Sequence, residues 1–168
     1  MDQQMQQLLD RQAIEDVLVR YGRSLDWLDE AAQASCFWPD AEIDYGFFKG
    51  SGADWVPVVM DVERASLRRW HICAGITVSI DGDIANSECY GLSTATVENE
   101  QGEREDAVFG GRYLDVFARR NGEWRIARRQ YIADWAQRFP SGLDSAQAEF
   151  MLNVFDVSGE GHPGYRPL

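Results

Sequence analysis

The sequence predicts an α+β fold in which helices pack on one face of a curved, mainly antiparallel sheet. Apolar residues recur at helical spacing through the first part of the chain, and strand-like runs fill the second. The turns between those runs are too short to join anything but antiparallel neighbours.

From about Leu8 to Leu28, Leu9, Ile14, Val17, Leu18, Tyr21, Leu25 and Leu28 fall three and four apart, which places them on one helical face. A short second helix is expected over Asp29 to Cys36, stopped by Trp38-Pro39 because the residue before proline disfavours the helical region. Asp40 to Lys49 reads as a hairpin with Gly46 at its bend, and Asp54 to Arg69 returns to helical spacing, with Pro57 tolerable only in its first turn. Four strands are expected at roughly 75–81, 84–98, 104–118 and 123–135. They are joined by Asp81-Gly82-Asp83, the 99–103 loop and Arg120-Asn121-Gly122, the last a strong tight-hairpin signal. Residues 158–168, rich in Gly and Pro, read as an extended strap.

A chain of 168 residues and 19.1 kDa fits one domain with a real core. Its net charge of -12 and pI near 4.5 argue against nucleic-acid or anionic-membrane binding. The three cysteines form no zinc or redox spacing and read as reduced thiols. The polar N-terminus lacks the order of a signal peptide, and no apolar run is long enough to span a membrane, so a cytoplasmic location is expected.

Asp26 closes the run Tyr21-Gly-Arg-Ser-Leu-Asp26 at the edge of the apolar helical face, and His71 follows Arg68-Arg69-Trp70 ahead of a strand-like stretch. A carboxylate that orients an imidazole is the minimum equipment for taking a proton from carbon without a cofactor. Arg129 lies in the last strand, where alternation groups it with Arg125, Ala127, Tyr131 and Ala133 unless a bulge intervenes. From spacing alone, Asp26 is equally a solvent-facing charge, His71 a core or capping imidazole and Arg129 an exposed strand arginine; only geometry separates these readings. Metal-ligand spacings, phosphate-binding glycine motifs and nucleophile elbows are all missing from the sequence, so no metal and no cofactor is expected.

Together these features resemble the SnoaL-like branch of the nuclear transport factor 2-like superfamily. The resemblance spans residues ~5–137 and rests on the Ile14 to Asp26 helix, the Phe37-Trp-Pro-Asp-Ala41 turn, His71 before a strand and the Asn121-Gly-Glu-Trp-Arg-Ile126 hairpin. It implies a cone-shaped α+β barrel over 1–140, with 141–168 a C-terminal tail or lid of the same domain. The pattern is nearest that of the hexachlorocyclohexane dehydrochlorinase, bile acid 7-dehydratase and scytalone dehydratase members. The Asp–His pair of these enzymes falls on Asp26 and His71, the tyrosine of the bile acid enzyme on Tyr21, and the arginine of the dehydrochlorinase on Arg129.

The expected activity is a cofactor-independent lyase, a dehydratase or similar elimination, acting on a hydrophobic ring-containing molecule. His71 abstracts the proton, Asp26 fixes its tautomer, and Tyr21 and Arg129 assist the leaving group. Trp27, Trp55, Trp70, Phe109, Tyr131 and Trp135 are candidates for the pocket wall. The same dyad suits release of formaldehyde from a lignin-derived compound or a ketosteroid-type double-bond shift. A reading of another class is a non-catalytic binding module or dioxygenase small subunit. Assembly as a homodimer or homotrimer is expected from the resemblance.

Overall fold

The computed structural model describes residues 2–151, 162 and 164–166. Three helices, the third of them after the first two strands, pack on a six-stranded sheet, and together they make a cone-shaped α+β fold. Helix α1 (Gln3–Asp26) starts where the Asp2 side chain accepts from the Gln4 N–H and buries the Ile14, Val17, Leu18, Tyr21 and Leu25 stripe. It ends as Leu28 turns into the left-handed region, and Asp29 then caps α2 (Glu30–Ser35) by accepting from the Ala32 N–H.

Strand β1 (Phe37–Asp44) begins earlier than the sequence suggests: Trp38 and Pro39 follow α2, as expected, but already lie inside the strand. Pro39 falls within the break in register between Phe37 and Glu42, where a missing N–H is tolerated. Strand β2 (Lys49–Ser51) turns back through Gly46, whose φ of 79° suits glycine. Helix α3 (Gly52–Arg64) is capped by Ser51 and is shorter than expected at its C-terminal end, while Pro57 sits beyond the first turn.

The residues expected to finish that helix open a strand instead. The remaining strands are β3 (Arg68–Asp81), β4 (Ile84–Glu98), β5 (Arg104–Arg120) and β6 (Glu123–Pro140), followed by a short helix α4 (Leu143–Phe150). Pairing of Arg68 to Ala74 with Tyr90 to Thr96 draws the early part of β3 into the sheet, so His71 lies within a strand. The sheet order is β2-β1-β6-β5-β4-β3, antiparallel throughout except for the β1–β6 pair. Register breaks at Ala74/Thr77, Gly110/Gly111 and Val116/Phe117 bend the long strands and give the sheet its concavity.

The concave face and the helices enclose the core. Helix α1 lies close on β3 at Gly22, where an added Cβ would stand 3.3 Å from the His71 carbonyl oxygen. The opposite face exposes Trp70, Ile72, Tyr90, Ile132 and Trp135, with the Trp135 ring lying over Gly110. Trp27 caps α1 and packs against His162 and Tyr165 of the tail, while Tyr165 donates to Asp29. Residues 158–161, 163, 167 and 168 of the expected strap lie outside the described residues.

Candidate active site

A cavity of about 240 Å³ opens on the concave face between α1, α3 and the sheet. Its wall includes Tyr21, Tyr45, Trp55, Glu63, His71, Phe109, Tyr113 and Tyr131. Larger concavities of about 510 and 790 Å³ lie elsewhere, but neither is lined by His71 or by any tyrosine. The smaller cavity is therefore where His71, Glu63 and the tyrosine hydroxyls meet an apolar surface.

Asp26 and His71 are brought together. The last residue of α1 projects toward the inner side of β3, and Asp26 Oδ1 stands 2.8 Å from His71 Nδ1. Both side chains are largely buried, so the contact operates at low dielectric. A third group, absent from the sequence reading, completes the arrangement: Glu63 Oε1 of α3 lies 3.4 Å from His71 Nε2. Burial on its own would lower the His71 pKa, but the hydrogen bonds and charges of Asp26 and Glu63 overcome that and raise it to about 9. Burial raises the Asp26 carboxyl, against the pull of His71, and the nearby Glu63 charge pushes it the same way.

A second cluster faces the same cavity. The Tyr21 and Tyr45 hydroxyls share a hydrogen bond of 2.7 Å, and the Tyr45 ring is stacked between Trp55 at 4.1 Å and Tyr131 at 5.4 Å. Burial pushes the Tyr45 phenol up to about 12 and Tyr21 and Tyr113 higher than their ordinary value, so these groups remain O–H donors.

Arg129 does not line the cavity. It is wholly buried behind the tyrosines, with its guanidinium carbon 4.2 Å from the Tyr21 ring centre and 4.3 Å from that of Tyr113, and it is paired with Asp115. It points inward because the register break opposite Val116/Phe117 flips the alternation of β6. Trp124 and Ile126 are inward before the break, Arg129 and Tyr131 after it.

Of the six aromatic candidates for the wall, Trp55, Phe109 and Tyr131 line the cavity. Trp70 and Trp135 do not: each is 48% exposed on the outer face, and Trp70 is turned outward by the alternation that turns His71 inward. Trp27 lies against the tail instead. Among the described residues no group of three or more His, Cys, Asp or Glu side chains could hold a metal ion, and no helix is long and apolar enough to cross a membrane.

The model of the SnoaL-like domain matches residues 6–130. The chain belongs to the SnoaL-like family. This SnoaL-like protein is 27% identical over 136 residues to an uncharacterized protein of Mycobacterium tuberculosis, covering 73% of this chain and 84% of the relative. Among solved structures, a protein provisionally named scytalone dehydratase from Novosphingobium aromaticivorans superposes with a TM-score of 0.70 at 20% identity, covering 93% of this chain and 96% of the other. A hexachlorocyclohexane dehydrochlorinase from Novosphingobium barchaimii superposes with a TM-score of 0.72 at 18% identity, covering 81% and 94%. At these identities the likeness establishes the SnoaL-like fold and no more.

Proposed function

We propose that this SnoaL-like protein is a lyase that eliminates water or another small leaving group from a hydrophobic ring-containing molecule without a cofactor, with Asp26 and His71 as its proton-transfer centre. The observation that carries this reading is the 2.8 Å Asp26–His71 contact at the wall of an apolar cavity of about 240 Å³. Asp26 keeps a proton on Nδ1, which leaves Nε2 as the nitrogen that exchanges protons with the substrate.

Elimination also requires somewhere for negative charge to go. The Tyr21–Tyr45 hydroxyl pair, kept protonated by burial, supplies donors for a carbonyl or hydroxyl oxygen of the substrate. Arg129 supports them from behind: its fixed cation lies against the Tyr21 ring and makes that phenol a better donor without itself meeting the substrate. The cavity suits a molecule of one or two rings, which would stack against Trp55, Phe109 and Tyr131. Self-association is part of the same reading, supported by the apolar residues on the outer face of the sheet.

The test is a panel of ring-containing compounds with an acidic C–H beside a leaving group. It includes the aldol adduct of benzaldehyde and acetone, which loses water to give strongly absorbing benzalacetone, and hexachlorocyclohexane, the substrate in the name of the structural neighbour. Turnover by the wild-type protein that is lost in both His71→Ala and Asp26→Asn supports the reading. Binding of these compounds with no chemistry, or turnover indifferent to both substitutions, overturns it in favour of a binding module.

A further inference from the structure

His71 is flanked by two carboxylates, which constrains its protonation. Nδ1 faces Asp26 Oδ1 at 2.8 Å and Nε2 faces Glu63 Oε1 at 3.4 Å. A neutral imidazole has a single N–H and cannot donate from both nitrogens, so two acceptors across the ring call for the doubly protonated form.

The surrounding charges require the same. Around the ring stand Asp26 from α1, Glu63 from α3, and Arg69 and Cys73 from the strand of His71 itself. Arg69 Nε is 3.9 Å from Glu63 Oε2, and its guanidinium also donates to the carbonyls of Glu63 and Ser66. With a neutral ring, two carboxylates and one guanidinium leave an uncompensated negative charge in a buried site; with an imidazolium the charges cancel. A ring already protonated at Nε2 cannot take a proton from carbon. Glu63 can, because its carboxylate lines the cavity beside that nitrogen.

Resting on the lyase reading, we propose that Glu63 is the catalytic base and that His71, held as imidazolium by Asp26, is the acid that protonates the leaving group. A Glu63 oxygen takes the proton from the substrate carbon, and the C–H electron pair becomes the new carbon–carbon double bond. The C–O bond breaks with its electrons on oxygen, and His71 Nε2–H protonates that oxygen so that water departs. The site then holds a neutral imidazole beside a protonated Glu63. Transfer of that proton across the Oε1 to Nε2 contact restores the starting state, and the balance is loss of one water with no proton drawn from bulk.

Glu63→Gln keeps the shape of the side chain and removes its basicity. Its turnover of the benzaldehyde–acetone adduct near neutral pH should fall about 10²-fold or more, with Glu63→Asp recovering part of it. If Glu63 merely restrains a basic His71, the same substitution frees Nε2 and turnover holds or rises, which overturns the assignment. Benzylacetone, which has the ketone but no leaving group, isolates the first step through exchange of its α-protons in deuterated buffer. Exchange lost in Glu63→Gln and kept in His71→Gln supports the division of roles, and the opposite pattern overturns it. A readout independent of any substrate comes from ¹⁵N shifts of the His71 ring, assigned with His162→Gln. A doubly protonated ring slightly above neutral pH is expected in the wild type, and a neutral one overturns the proposal. Failure of the wild-type protein to transform any probe while His71 is doubly protonated counts against the lyase reading alone.

Discussion

The Arg129 guanidinium meets the Asp115 carboxylate through two parallel hydrogen bonds, Nε to Oδ1 at 2.8 Å and Nη2 to Oδ2 at 2.6 Å, with neither side chain reached by solvent. The pair lies beneath Tyr21 and Tyr113, so the floor of the cavity is an aromatic layer resting on a buried cation. Removing one partner leaves the other charged and uncompensated in a medium that cannot hydrate it.

Asp115→Asn should therefore destabilise the protein by about 3–5 kcal/mol, the usual cost of breaking a buried pair. The double variant Asp115→Leu with Arg129→Met should recover most of that loss. Denaturant unfolding of the three proteins checks this; equal stability of wild type and Asp115→Asn would show that the pair is idle.

His71 links stability to pH. Its folded pKa of about 9 exceeds the unfolded value of roughly 6.5, so its contribution is fully present below the latter and is lost as pH rises through the former. At ~1.4 kcal/mol per pKa unit, the loss over that window reaches roughly 3 kcal/mol. The melting temperature should fall between about pH 6.5 and pH 9, and the slope should flatten in His71→Gln.

Tyr45→Phe keeps the ring stacked on Trp55 and Tyr131 and deletes only the hydroxyl that meets Tyr21. The expected result is a protein of nearly unchanged melting temperature whose turnover of an oxygen-bearing substrate falls about 10²-fold, the usual cost of losing one preorganised donor. Parallel kinetics and calorimetry separate the two effects.

The outer face of the sheet should hold copies of the chain together. Trp70, Ile72, Tyr90, Ile132 and Trp135 are exposed on one face across several strands, with Arg112 lying between Tyr90 and Ile132, more apolar side chain than a lone soluble domain usually leaves open. Sedimentation of the wild-type protein should give a multiple of 19.1 kDa, and Ile132→Lys with Trp135→Glu should return it to the monomer mass.

Much of this arrangement is legible from spacing. The stripe from Ile14 to Leu25 predicts which side of α1 is buried, and the short turns predict the antiparallel meander. Asp26 and His71 are recognisable by context, although their contact is a tertiary fact. Glu63 escapes notice because a charge near a helix end ordinarily faces water. A signal was nevertheless present, since Glu63 follows Trp55 and Val59 at intervals of four, on the buried side of α3. Tyr45 escapes because it sits in the short β1–β2 connection, where local pattern carries no information about what packs above it. The inward turn of Arg129 after Ile126 depends on a register break, and a bulge inserts one residue without a compositional mark.

Gly22 gives the site a property that no side chain in the cavity supplies. It lies one helical turn before Asp26, and its bare Cα allows α1 to settle against the backbone of His71. The spacing of carboxylate and imidazole is thus gauged by main chain against main chain, with Asp26 carried to its partner by the pitch of the helix. Alignment of the Asp26 carboxylate with the His71 ring is inherited from the docking of two secondary-structure elements. In the proposed lyase, a residue outside the cavity wall can therefore tune proton transfer by tenths of an ångström, and variation in substrate can accumulate in the aromatic wall while this gauge stays constant.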